Sequence, residues 1–110
     1  MQFMGSLYVG EKAAPAEYKI VEKVHKGKVV PNLHLITFSN NPDNMLDIIP
    51  EKEIMQKHYP KDRLRIVGIA DGKKEALALV QRIIQESIAE TGSADVRGFL
   101  KTKWEGQACR

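Results

Sequence analysis

Short apolar runs alternate along this chain with longer stretches whose apolar residues recur at helical spacing. The apolar runs are "LYV" at 7–9, "LHLITF" at 33–38 and "LRIVGIA" at 64–70. They are rich in the β-branched and aromatic residues that suit strands. The third is almost continuously apolar after Arg65, the pattern of a strand covered on both faces, as in parallel sheets.

Helical patterns follow each run. Over 14–26, Pro15 fits a first helical position and Glu17 the positive end of the dipole. Ile20, Val21 and Val24 form its apolar strip, Tyr18 lies near the edge, and Gly27 is a stop. Over 50–59, Pro50, Glu51 and Glu53 suit a helix start, Lys57 and His58 its end, and Pro60 terminates it. The longest pattern spans 72–91, where Leu77, Val80, Ile84 and Ile88 form a stripe widened by Leu79 and Ile83. Gly92 ends it. "DVRGFL" at 95–100 reads as a last short strand, and "KTKWEGQACR" as a basic tail.

The order is thus β-α-β-α-β-α, with a possible final β. It predicts an α/β fold: a small, mostly parallel sheet of three or four strands with helices packed on it. With 110 residues, 43% hydrophobic and 28% charged, the chain fits a single domain over 1–100 followed by the tail 101–110.

In open α/β sheets, ligands bind beyond the carboxyl ends of the strands. If the 33–38 and 64–70 strands are parallel, their exit loops "SNNPDN" and "ADGKK" share one rim. Asp71 is placed to cap the long helix, and Gly72 to allow close backbone approach. Lys73 and Lys74 then stand at the positive end of the helix dipole, where each is unfavourable by roughly 0.3–1 kcal/mol. An anion on the free N–H groups would reverse that sign. The expected ligand contacts are therefore Asp71, Gly72, Lys73 and Lys74, faced by Ser39, Asn40, Asn41 and Asn44. The competing reading is a solvated helix start, its lysines offset by Asp71 and Glu75, and "SNNPDN" as a plain turn. Asp43, Asn44 and Asp47 offer oxygen ligands to a hard cation but lack calcium-loop spacing.

Other chemistry is sparse. His25, His34 and His58 fall on three different segments, and neither H-E-x-x-H nor C-x-x-C occurs. No metal site or cofactor is expected. Nor is there a G-x-S-x-G elbow, a Walker A pattern or a G-x-G-x-x-G loop. Enzymatic activity is disfavoured, and an enzyme without a recognisable motif is the third reading. The lone Cys109 allows no intrachain disulfide and suits a reducing compartment. No apolar run approaches the ~20 residues of a membrane span, and the first ten residues lack a signal peptide's pattern. A cytoplasmic protein is expected.

The net charge of +3 is too small to drive nucleic-acid binding alone. Lys19, Lys23 and Lys26 nevertheless share one helix face, and the tail adds Lys101, Lys103 and the ring of Trp104. A nucleic-acid accessory using those residues is the alternative to the favoured reading, a binding module for an anionic small ligand or a protein partner. Val96, Phe99, Leu100 and Trp104 near one end either close over the core or pair with a second copy as an exchanged or edge-added strand, and a homo-oligomer is expected.

Overall fold

The computed structural model describes residues 1–39, 41 and 45–110. Its strands are β1 (Gln2–Val9), β2 (Leu33–Phe38), β3 (Leu46–Pro50) and β4 (Arg65–Asp71). Its helices are α1 (Glu17–His25), α2 (Glu51–Ile54), α3 (Lys73–Thr91) and α4 (Val96–Glu105), with single 3-10 turns at Ala14–Ala16 and Lys61–Arg63. The fold is α/β, a four-stranded sheet in the order β1-β4-β2-β3. Among the described residues no helix is long and apolar enough to cross a membrane.

The sheet is mixed, which corrects the expectation of a mostly parallel one. β1 and β4 are parallel, but β2 runs antiparallel to both β4 and β3. The cause is β3, five residues ("LDIIP") absent from the predicted order. The link from β2 to β3 is too short for a parallel crossover, so the chain turns back at once. The longer connection through α2 then lays β4 parallel to β3, hence antiparallel to the β2 strand between them. One added strand inverts the direction of everything after it.

Three other expectations are corrected. The 50–59 helix is only one turn, Glu51–Ile54. The segment at 95–100 is helix rather than strand, since α4 begins with Asp95 accepting a hydrogen bond from the Gly98 N–H at 3.1 Å. That N-cap sets up the helical spacing of the buried Val96, Phe99 and Leu100. Nor is 101–110 a free tail. Its first half completes α4, and Arg110 exchanges two backbone hydrogen bonds with Phe3, at 3.0 and 2.7 Å, along the outer edge of β1. A Cβ on Gly5 would lie 2.3 Å from the Ala108 carbonyl oxygen, so glycine is what lets this strap close.

The sheet divides two cores. One face buries Phe3, Leu35, Ile66 and Ile69 with Ile20, Val21 and Val24 of α1 and Ile54 of α2. The other buries Met4, Ile36 and Val67 with Leu79 and Ile83 of α3 and Phe99 and Leu100 of α4. The α3 stripe is rotated from the predicted one: Ala76, Leu79, Ile83 and Ser87 are buried, whereas Leu77 and Ile88 are 50% and 48% exposed. Gly92 closes α3 at φ 73°, its N–H bonded to the Ile88 carbonyl at 2.8 Å.

Candidate functional site

Because β1 and β4 are parallel neighbours, the loops leaving them emerge side by side. The Gly10 N–H bonds the Ile69 carbonyl at 3.0 Å, holding the two exits together. The antiparallel β2 contributes its beginning to the same place, since Leu33 pairs with Asp71. Asn32, at φ 65°, accepts the Gly72 N–H at 2.8 Å and donates from Nδ2 to the Asp71 carboxylate at 3.2 Å. Gly72 itself has φ 90° and ψ 157°, a conformation almost confined to glycine.

These segments enclose a cleft of about 710 Å³ lined by Gly10, Glu11, Lys12, Asn32, Asp71, Gly72, Lys73, Lys74, Glu75 and Arg82, with Ala78 and Leu79 behind. Asp71 does not cap α3, which corrects the role expected of it; the N-cap position is held by Gly72. The carboxylate that organises the turn is Glu75. Its Oε1 accepts the Lys12 N–H and its Oε2 the Asp71 N–H, both at 2.5 Å. It fills the space over Gly10, where a Cβ would fall 2.3 Å from the Glu75 Cδ. Glu75 is thereby committed to backbone donors. Lys12, Lys73 and Lys74 form no ion pair among the described residues, and Arg82 reaches the Val9 carbonyl at 3.5 Å with its guanidinium 5.8 Å from the Tyr8 ring centre.

A smaller slot of about 210 Å³ adjoins the cleft. Its walls are Ala13, Ala16, Ile20, Val30, Pro31 and Leu33, and Lys19 and Lys23 complete its lining. Lys12 and Asp71 line both spaces, so an apolar recess with three lysines opens beside the polar cleft.

The structure separates the two loops that were expected to converge. Thr37 pairs with Ile66, so β2 ends where β4 begins, and Ser39 and Asn41 lie at the far end of the sheet from Asp71, Gly72, Lys73 and Lys74. Antiparallel pairing is the reason. There the Asn41 N–H bonds Ser39 Oγ at 3.1 Å, a local turn bond. Asn40 and Asn44, and Asp43 of the suggested cation set, lie outside the described residues. Among the described residues no three His, Cys, Asp or Glu side chains gather as a metal would require.

The basic residues of the nucleic-acid alternative are divided as well. Lys19 and Lys23 project from α1 on one face of the sheet, while Lys101, Lys103 and Trp104 belong to α4 on the other. Lys26 pairs with Glu22 at 2.6 Å. Lys103 bonds Glu86 at 2.8 Å and the Tyr8 hydroxyl at 3.1 Å. Burial alone would lower the Lys103 pKa, but its bonds to Glu86 and Tyr8 prevail and raise it. The same bond to Lys103 lowers Glu86, and burial raises Tyr8. This cluster ties α4 to β1 and α3. Trp104 is half-buried and meets Phe38 edge to face at 6.2 Å.

Lys12, Asn32, Glu75 and Arg82 were not singled out from the sequence as contacts of this site. For Lys12 the signal is Gly10, which follows the first strand as Gly72 follows the last and marks a second exit loop. Asn32, before β2, and Glu75 and Arg82, on α3, are brought to the site by strand pairing and helix packing.

No family model, curated protein or solved structure matches this chain.

Proposed function

We propose that the protein is a binding module for an anionic small ligand held in the cleft at the β1 and β4 exits. The observation that carries this reading is the charge balance there. Lys12, Lys73, Lys74 and Arg82 outnumber the acids, and one of those acids, Glu75, is already spent on two backbone N–H groups. A carboxylate or phosphate between Lys73, Lys74 and Lys12 would relieve their mutual repulsion and offset the adverse position of the two helix-start lysines. The adjoining slot suits an aliphatic portion of the same ligand.

The test is thermal unfolding against a panel of nucleotides, phosphorylated metabolites and carboxylates. A genuine ligand at one hundred times its Kd stabilises by about 2.7 kcal/mol, and a Lys73→Ala, Lys74→Ala variant should lose that gain. No stabilisation by any member, or equal stabilisation of the variant, overturns the proposal.

We further propose self-association through the flank of α3 rather than through residues 96–104, whose apolar side chains are occupied in the protein's own core. Leu77 and Ile88, both about half exposed, share that flank with the uncharged Gln81 and Gln85, Lys73 and Lys74 lying only at its N-terminal end, and charge depletion around apolar residues is an interface trait. Light scattering should find a dimer that Leu77→Lys, Ile88→Lys converts to monomer; a wild-type monomer at every concentration refutes it.

A further inference from the structure

At the opposite end of the sheet, a notch of about 240 Å³ is lined by Arg63, Arg65, Arg97 and Lys101 together with Ser39 and Phe38. The four cations come from three places in the chain. Arg63 closes the 3-10 turn, Arg65 opens β4, and Arg97 and Lys101 sit one turn apart on α4. Among the described residues none of the four forms an ion pair and no carboxylate lines the notch. The cleft described above carries acids among its lysines; among the described residues this notch carries none.

Two of the guanidinium groups are held in place. Arg97 donates from Nη2 to the carbonyl oxygen of Ser39 at 3.0 Å, and Ser39 is itself buried. That bond uses one of the five N–H donors of the group. Arg65 lies over the Trp104 ring, 5.9 Å from its centre. Fixed guanidinium forks match a phosphate's oxygens and lose little freedom on binding it. Four like charges around a concavity also raise the local potential, a cost that a bound anion removes.

We infer that this notch binds a dianionic phosphate group, as inorganic phosphate or the phosphomonoester of a small molecule, independently of the cleft at the other end of the sheet. Amide NMR at constant ionic strength tests it, with inorganic phosphate and phenyl phosphate as probes. Saturable shifts are expected at Leu64, Arg65 and Arg97. Arg63→Ala, Lys101→Ala should weaken binding at least tenfold; both side chains are exposed, so the fold is kept. Lys73→Ala, Lys74→Ala should leave it unchanged. Tighter binding of phenyl phosphate assigns the notch to a phosphorylated organic molecule, and equal or weaker binding to free phosphate. Shifts that chloride reproduces, or that survive Arg63→Ala, Lys101→Ala, overturn the inference. So does tighter binding of an oligothymidylate without terminal phosphates, which would make the notch a strand-binding surface.

Discussion

Glu75 illustrates how a single side chain can set the geometry of a turn. Its two oxygens each take one backbone N–H, from Lys12 and from Asp71 at the end of β4, and its methylene and carboxyl groups lie over Gly10. Glu75→Ala leaves the part-buried Asp71 N–H unsatisfied, while water takes over the exposed Lys12 N–H, and should cost roughly 1–3 kcal/mol. Gly10→Ala should cost a similar amount by displacing the carboxylate, yet be nearly neutral in the Glu75→Ala background. A denaturant double-mutant cycle should therefore return a coupling of about 1 kcal/mol or more; simple additivity would show that the two residues act separately. Glu51 is a different case. It is 1% exposed; its Oε1 accepts the Val30 N–H at 2.5 Å, and its Oε2 has no partner among the described residues. Burial pushes its carboxyl above the usual range. The folded protein then holds a proton that the unfolded chain releases, so stability falls as pH rises from the ordinary glutamate pKa through the raised one. Glu51→Gln keeps an acceptor for Val30 without the charge. Its stability, followed by denaturation from pH 4 to 8, should lack that decline; equal slopes for both proteins would mean Glu51 does not titrate abnormally.

At the scale of elements, two segments change character once their neighbours are known. Residues 95–100 carry β-branched and aromatic residues that suit a strand, but Asp95 caps and Val96, Phe99 and Leu100 recur at i, i+3 and i+4, so one face can be buried only as a helix. Asp95→Ala should cost about 1 kcal/mol, measured by thermal unfolding; an unchanged midpoint would deny the cap its role. Residues 46–50 show the reverse problem. A five-residue segment, LDIIP, in which Asp47 interrupts the apolar residues and a proline ends them, fits a helix start as readily as a strand, and Pro50 in fact serves as both, ending β3 and preceding α2 with extended dihedrals. The strap formed by the last residues is a third element, joined to the body by the Arg110–Phe3 backbone pair, an Arg110–Glu17 ion pair at 2.5 Å and the Tyr18 ring 4.9 Å from the guanidinium. It covers an edge that would otherwise present unpaired backbone groups. Gly5→Ala should push it off and speed hydrogen exchange at the Phe3 amide, which is slow if the strap is closed.

Across the whole molecule, the two cores depend on elements from opposite ends of the chain. The face covered by α3 also needs α4, because Val96 and Leu100 are 1% and 0% exposed and Phe99 is 8% exposed. Burying each such side chain contributes roughly 1.5–3 kcal/mol, a large share of the 5–15 kcal/mol that holds a typical domain folded. A chain ending at Gly92 should consequently lose its cooperative unfolding transition and bind hydrophobic dye. A sharp transition with native-like stability would instead make α4 an appendage.

The sequence by itself determined the α/β class, the β2 run, the extents of α1 and α3 to within a few residues, and the glycine turn with its two lysines. Those features are local: period, caps and turn residues act over a few positions and leave their mark in the residues themselves. The direction of β4 against β2, the separation of Ser39 and Asn41 from Lys73, and the meeting of Arg63 and Arg65 with Arg97 and Lys101 were decided only by the tertiary structure. Strand pairing joins residues far apart in the chain, and the pairing depended on β3, whose apolar pattern also fits the start of a helix.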